Sequence, residues 1–309
     1  MESELNTTLL ASIDARTTLA GSNKMEILLF SLGTNEIFGI NVFKIREVTK
    51  TPPITKTPNM HPGVVGIISL RGNIIPVLNL SSFLNIENSG QIGETMMVTE
   101  YSRQTQGFLV EGVDRIIRVD WEKVKSPESM LTGNEGLITS VTELDDGRLV
   151  SILDVEQILV QAFGETDIPN VTPVQIEGET TIFFADDSMV ARKEIMQVLD
   201  KLGVKYYQAN NGKEAWDKLQ GMAAQASDTP VRERLRLILV DAEMPEMDGY
   251  VLTRNIKSDA RFEGIPVIMH SSLSSEANRS MGKMVGVDDY VAKFNPAILA
   301  ETMRQYLER

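Results

Sequence analysis

The sequence predicts a multidomain chain of two classes: an all-β N-terminal half, and a C-terminal α/β half with a doubly wound, five-stranded parallel sheet. Three observations lead there. Between Lys24 and about Phe163, short apolar runs alternate with turn residues, and long helical stretches are few. Between Gly164 and Glu179 that rhythm dissolves into a stretch holding Pro169, Pro173, Gly178 and several acids, which reads as a linker. Beyond it strand-like and helix-like segments alternate, the pattern of successive βαβ units. The expected boundaries are 1–23 for an N-terminal helical segment, 24–165 for the β domain, 166–179 for the linker and 180–309 for the α/β domain.

The elements justify this in order. Leu5, Leu9 and Ile13 have the spacing of a short helix. In the β domain, expected strands are Met25–Leu32, Ile37–Ile40, Gly66–Leu70, Ile74–Leu78, Met96–Glu100, Gly107–Val113, Ile116–Val119, Ile138–Leu144 and Leu149–Leu153. Val42–Val48 has helical spacing. Arg71-Gly72-Asn73 and Asp145-Asp146-Gly147-Arg148 mark turns, and the first displays Arg71 between two apolar strands. In the α/β domain the strands are Thr181–Ala185, Lys205–Ala209, Leu235–Val240, Pro266–Met269 and Asp289–Ala292. Helices are expected at Met189–Leu202, Lys213–Ala226, Tyr250–Lys257, Ser275–Val285 and Pro296–Leu307.

Composition narrows the function. Thirty Lys and Arg against 43 Asp and Glu give a formal net charge of −13 over 309 residues. Phosphate backbones need a basic footprint, so no nucleic-acid partner is expected. There is no cysteine, hence no disulfide, thiolate metal site or catalytic thiol. No signal-peptide pattern opens the chain and no apolar run reaches the roughly 20 residues that span a bilayer. A cytoplasmic protein without direct membrane insertion is expected.

In an open parallel sheet, ligands gather beyond the carboxyl ends of the strands. There the first strand of the α/β domain runs into Asp186-Asp187, the third ends at Asp241, the fourth at His270-Ser271-Ser272, and Lys293 follows the fifth. Clustered carboxylates repel unless a cation neutralises them, and oxygen donors without His or Cys suit a hard ion such as Mg²⁺ (or Mn²⁺). A carboxylate beside such an ion can attack a phosphoryl donor while Lys293 offsets charge on the transferring oxygens. In the β domain nothing has catalytic spacing. His61, before Pro62, reads as a loop residue.

Asp186-Asp187, Asp241 with Met244-Pro245-Glu246-Met247-Asp248-Gly249, Ser271, Gly286-Val287-Asp288-Asp289-Tyr290 and Lys293 together resemble the CheY-like receiver family, whose fold is flavodoxin-like. The resemblance implies that Asp241 is the phosphoacceptor and Asp187 a direct metal ligand. It also implies that Asp186 acts through water and that the backbone carbonyl of Glu243 completes the protein ligands. Ser271 and Tyr290 would form the switch pair, the hydroxyl turning toward the phosphoryl group and the ring following inward. Two departures stand out. Phe294 occupies the place of the usual proline after the lysine, and a non-proline cis bond costs roughly 2.5–4 kcal/mol, so a trans loop that aims Lys293 differently is open. Glu243 puts a carboxylate near the attacking water's route and is expected to alter phosphoryl lifetime, in either direction.

Gly63-Val-Val-Gly-Ile-Ile-Ser-Leu-Arg71-Gly72-Asn-Ile-Ile-Pro76, with the later Asp114-Arg115 stretch and Ile152-Leu153-Asp154, resembles the CheW-like domain. That likeness implies two small interlocked β-barrels that bind a chemotaxis histidine kinase and the cytoplasmic tips of chemoreceptors, with Arg71 as a partner-binding residue. A CheW-like domain followed by a receiver is the order of CheV-type chemotaxis coupling proteins. The function so implied is a non-enzymatic adaptor in receptor arrays, modulated by phosphorylation of Asp241 from a kinase phosphohistidine. Two alternatives stay beside it: a constitutive scaffold with a silent receiver, and an aspartate-based Mg²⁺ phosphohydrolase, which would carry Asp-x-Asp after its first core strand.

Overall fold

A computed structural model describes residues 24–86, 93–101, 104–125, 136–164, 168, 171–174, 181–225, 230–272, 276–293 and 295–308. The expected N-terminal helix and Phe294 lie outside them. The chain divides between residues 165 and 166 into two compact units.

The first unit holds strands β1 (Lys24–Ser31), β2 (Ile37–Asn41), β3 (Ile45–Lys50), β4 (Val64–Leu70), β5 (Asn73–Asn79), β6 (Thr95–Tyr101), β7 (Gln104–Val110), β8 (Gly112–Asp120), β9 (Ile138–Glu143) and β10 (Leu149–Leu153). They form two five-stranded sheets, ordered β8-β1-β2-β10-β9 and β3-β6-β7-β5-β4. Lys125, just past β8, exchanges backbone hydrogen bonds of 2.9 and 2.8 Å with Val141 of β9. Thr55, past β3, exchanges two of 2.9 Å with Ile67 of β4. Each bridge joins the two ends of its sheet, so both curl into closed barrels and leave little free edge. Gly66 permits the second closure, because a Cβ there would lie 2.3 Å from the Thr55 carbonyl oxygen. The chain begins in one barrel, builds the other from β3 to β7, and returns; this is the expected interlocking.

Three details differ from the sequence reading. Val42–Val48 is not helical: a single 3₁₀ turn, Val42–Lys44, leads into β3. Its register against β6 shifts between Ile45 and Glu47. That bulge adds a residue, so Ile45 and Val48 both face inward at a spacing that imitates a helix. The strand expected at Gly107–Val113 ends at Val110, and Asp114-Arg115 lies within β8 rather than between strands. The chain passes from one barrel to the other at Glu111, and the continuous apolar run conceals the crossing. A one-turn helix α1 (Leu80–Phe83) and helix α2 (Val155–Phe163) were not expected. Asp154 caps α2 by accepting from the Gln157 N–H at 2.9 Å.

The second unit holds β11 (Thr181–Ala185), α3 (Met189–Leu202), β12 (Lys205–Ala209), α4 (Gly212–Gln225), β13 (Leu235–Val240), α5 (Gly249–Ser258), β14 (Val267–Ser271), α6 (Glu276–Val285), β15 (Asp289–Ala292) and α7 (Pro296–Leu307). All five strands are parallel in the order β12-β11-β13-β14-β15. Alternate residues of the central strands feed two cores. Phe183, Ile238 and Val240 pack with α4 and α5, whereas Ile182, Phe184, Leu237 and Leu239 pack with α3 and α7. The helix starts follow local capping chemistry: Ser188, Asp248 and Asn295 accept from the N–H groups of Ala191, Val251 and Ile298.

The stretch before β11 also touches this unit. Ile168, Val171 and Val174 pack on the α3–α7 core. Lys201 donates to the Ile168 carbonyl at 2.7 Å, Arg304 to Thr172 at 2.8 Å, and the Val174 N–H to Leu202 at 3.0 Å.

Candidate functional site

The strand order of the second unit reverses between β11 and β13, and that switch point gathers the charged residues. Asp186 and Asp187 follow β11, and Asp241 follows β13. Each of the three offers a carboxylate oxygen within 4.8 Å of the others. Asp186 and Asp241 are buried and Asp187 is half-buried. Lys293, 5% exposed, places its ammonium 2.8 Å from Asp186 Oδ2 and 2.9 Å from Asp241 Oδ2. Three carboxylates and one ammonium leave net negative charge at a largely buried site, and all the carboxylate donors are hard oxygens. The set fits a hard divalent cation, with Asp186, Asp187 and Asp241 as its carboxylate holders.

Backbone contacts fix the arrangement. The Asp241 N–H donates to Ala185 at 2.9 Å, tying the two strand ends together. The Ser188 N–H donates to Asp186 Oδ1 at 3.0 Å. Arg192, on α3, donates through Nη1 to the carbonyls of both Asp186 and Asp187 at 2.9 Å. The loop after Asp241 folds back until Gly249 touches it, and a Cβ there would lie 1.9 Å from the Asp241 carbonyl oxygen. Asp248 then caps α5, and burial pushes its carboxyl up to about 6 despite the N–H groups of Val251 and Tyr250 that favour the charge.

The structure also brings Ser271 and Tyr290 together. Ser271 ends β14 at 1% exposed, and its carbonyl accepts from the Lys293 N–H at 3.1 Å. Tyr290, on the neighbouring β15, is buried with its hydroxyl hydrogen-bonded to the Ser271 side chain. Burial pushes that phenol up to about 12, against the pull of the Ser271 hydrogen bond. Arg279 covers the ring at 5.1 Å from its centroid. Glu243 is half-buried near this group, and its charge also raises the Tyr290 phenol.

Arg71 belongs to the other unit. It and Gly72 form the two-residue turn between β4 and β5, with φ of 49° and 85°. Two positive φ values match the type I′ turn that hairpins favour, an awkward conformation for a residue with a Cβ. The Arg71 side chain is 76% exposed and its Nη2 lies 2.6 Å from Glu47 Oε2. Ile74 beside it is 73% exposed, so the start of β5 is less buried than the apolar sequence suggests. His61 is a loop residue: its Nδ1 accepts from the Gly63 N–H at 3.0 Å and its ring stacks on Phe83.

Three contributors escaped the sequence reading. Arg192 carried a usable signal, since a residue five or six places after the acids can fold back over a helix start. Glu47 and Tyr250 carried none: Glu47 is 24 positions from Arg71. Tyr250 is an apolar-looking helix residue that ends up 4% exposed in one cluster with Ala242, Met269, Val285 and Tyr290.

Residues 26–163 match the CheW-like domain, and residues 182–304 match the response regulator receiver domain. Chemotaxis protein CheV1 of Helicobacter pylori is 30% identical, across 97% of this chain and 98% of its own. Chemotaxis protein CheV3 of the same organism is 32% identical, across 88% and 89%. Chemotaxis protein CheY1 of Helicobacter pylori is 34% identical across 41% of this chain and 95% of its own length. Among the described residues no helix is long and apolar enough to cross a membrane.

Proposed function

Because this chain belongs to the CheV-type family of chemotaxis proteins, a CheW-like domain followed by a receiver, we propose that it is a coupling adaptor tuned by phosphorylation of Asp241. The observation that carries the receiver half is Lys293 lying within 3 Å of both Asp186 and Asp241 at the edge of a three-carboxylate cluster. A carboxylate oxygen of Asp241 attacks the phosphorus of a kinase phosphohistidine. The P–N bond breaks, its electron pair returns to the imidazole nitrogen, which takes up a proton, and an aspartyl phosphate results. Lys293 holds positive charge beside the transferring oxygens, and the Ser271 hydroxyl afterwards donates to one of them. Mg²⁺ (or Mn²⁺), when bound by Asp187, Asp241 and the Glu243 carbonyl with Asp186 acting through water, would neutralise further oxygen charge.

The first unit supplies the coupling. We infer that Arg71, with exposed Ile74 beside it, meets an acidic and apolar surface on a chemoreceptor tip or a chemotaxis kinase. An arginine kept in a left-handed turn where Asn or Gly would be easier supports a binding role. The protein would then sit at membrane-bound receptor arrays from the cytoplasmic side. Neither a silent receiver nor a small-molecule phosphohydrolase gains support from the relatives.

To test this, the full chain is incubated with radiolabelled phosphorylated kinase and Mg²⁺. Label should move to Asp241 and be absent from Asp241→Asn. Undiminished labelling of that variant, or none of the wild type, would defeat the phosphoacceptor reading.

A further inference from the structure

Tyr250 is a buried polar group that the phosphoacceptor chemistry leaves unused. Its side chain lies on α5, the helix that starts against Asp241, and it is 4% exposed. Among the described residues its hydroxyl has no hydrogen-bond partner. It packs in one cluster with Tyr290. Burial raises its phenol, and Tyr290, Glu243, Asp248 and Asp241 around it add to the shift. Three buried hydroxyls, those of Ser271, Tyr290 and Tyr250, therefore share this corner, and only Ser271 and Tyr290 are joined.

A hydroxyl can donate one hydrogen bond and accept more, yet the Tyr250 hydroxyl does neither in the unmodified state. A phosphoryl group on Asp241 would give Ser271 a competing acceptor. Once Ser271 donates to it, Tyr290 loses its hydrogen bond inside a dry cluster, where an unmade bond is costly. Tyr250, in the same cluster and without a partner, is available to it.

We propose that Tyr250 is a positioning residue of the switch: when Ser271 turns to the phosphoryl group, the hydroxyls of Tyr250 and Tyr290 pair, holding Tyr290 inward. The unpaired Tyr250 hydroxyl destabilises the unmodified state, and phosphorylation relieves it. This rests on Asp241 being the phosphoacceptor.

The test uses the full chain, Mg²⁺ and beryllofluoride as the phosphoryl mimic, with bound fluoride followed by fluorine NMR. Tyr250→Phe keeps the ring and removes only the hydroxyl. It should bind beryllofluoride roughly five- to tenfold more weakly, as for one lost hydrogen bond. Tyr290→Phe should lose a similar factor, and the double variant no more than either alone. The unmodified Tyr250→Phe protein should melt no lower than wild type. Binding equal to wild type, multiplying losses in the double variant, or a lower melting temperature would each overturn the pairing. No bound fluoride on the wild type would overturn the phosphoacceptor reading itself, and the pairing with it.

Discussion

Lys293 Nζ lies 2.9 Å from Asp241 Oδ2, with both side chains at most 5% exposed. The same ammonium is 2.8 Å from Asp186, so one cation serves two buried carboxylates. Removing one partner of such a set strands the others without water. Lys293→Ala should therefore destabilise the metal-free receiver by about 3–5 kcal/mol. Urea unfolding followed with and without Mg²⁺ checks this, and added Mg²⁺ should restore part of the loss.

The carboxylate cluster predicts stabilisation by divalent cations. At about ten times its dissociation constant, Mg²⁺ should stabilise the receiver by about 1.4 kcal/mol, and a chelator should reverse it. Asp187→Ala removes a carboxylate while the Lys293 ion pairs with Asp186 and Asp241 remain. Its melting temperature should no longer respond to Mg²⁺; an unchanged response would remove Asp187 from the ligand set.

Asp248 predicts a pH dependence. Its folded value of about 6 lies above the ordinary 3.8, so the folded chain binds more protons than the unfolded one between those limits. The stability of the neutral form is full below about pH 4 and lost as pH rises through about 6. Asn keeps an acceptor for the Val251 N–H and carries no charge. Asp248→Asn should gain about 1–3 kcal/mol at pH 7.5, with the gain vanishing toward pH 4. Urea midpoints at the two pH values decide it.

Arg71 should separate binding from stability. Arg71→Asn suits the positive φ, so the fold should hold or gain up to ~1 kcal/mol, while capture by receptor tips or kinase falls at least tenfold. Glu47→Gln breaks an exposed pair worth at most about 1 kcal/mol and frees the guanidinium. Capture should then stay equal or strengthen. Pull-downs with a receptor tip and the kinase regulatory domain read both variants, and unaltered capture by Arg71→Asn would count against this anchor.

The receiver half was legible because its information is local. Buried parallel strands appear as apolar runs such as Leu235–Val240, and helices such as Met189–Leu202 by their apolar spacing. The acids and Lys293 follow from strand ends, since a parallel sheet puts every carboxyl end on one edge. In the β half the alternating pattern failed where geometry departed from period two. The bulge at Ile45–Glu47 imitated a helix, and the crossing at Glu111 hid in an apolar run. Even so, the turn and its displayed Arg71 were readable from Arg71-Gly72-Asn73.

The amino-acid order thus determined the two units, the acidic edge and the turn, because propensity, capping and strand polarity act over a few residues. Tertiary structure alone decided that Thr55 and Lys125 close the barrels, that Glu47 meets Arg71, and that Tyr250 reaches the Tyr290 corner with its hydroxyl unpaired. Those pairings join residues 12 to 40 positions apart, and only packing in three dimensions selects them.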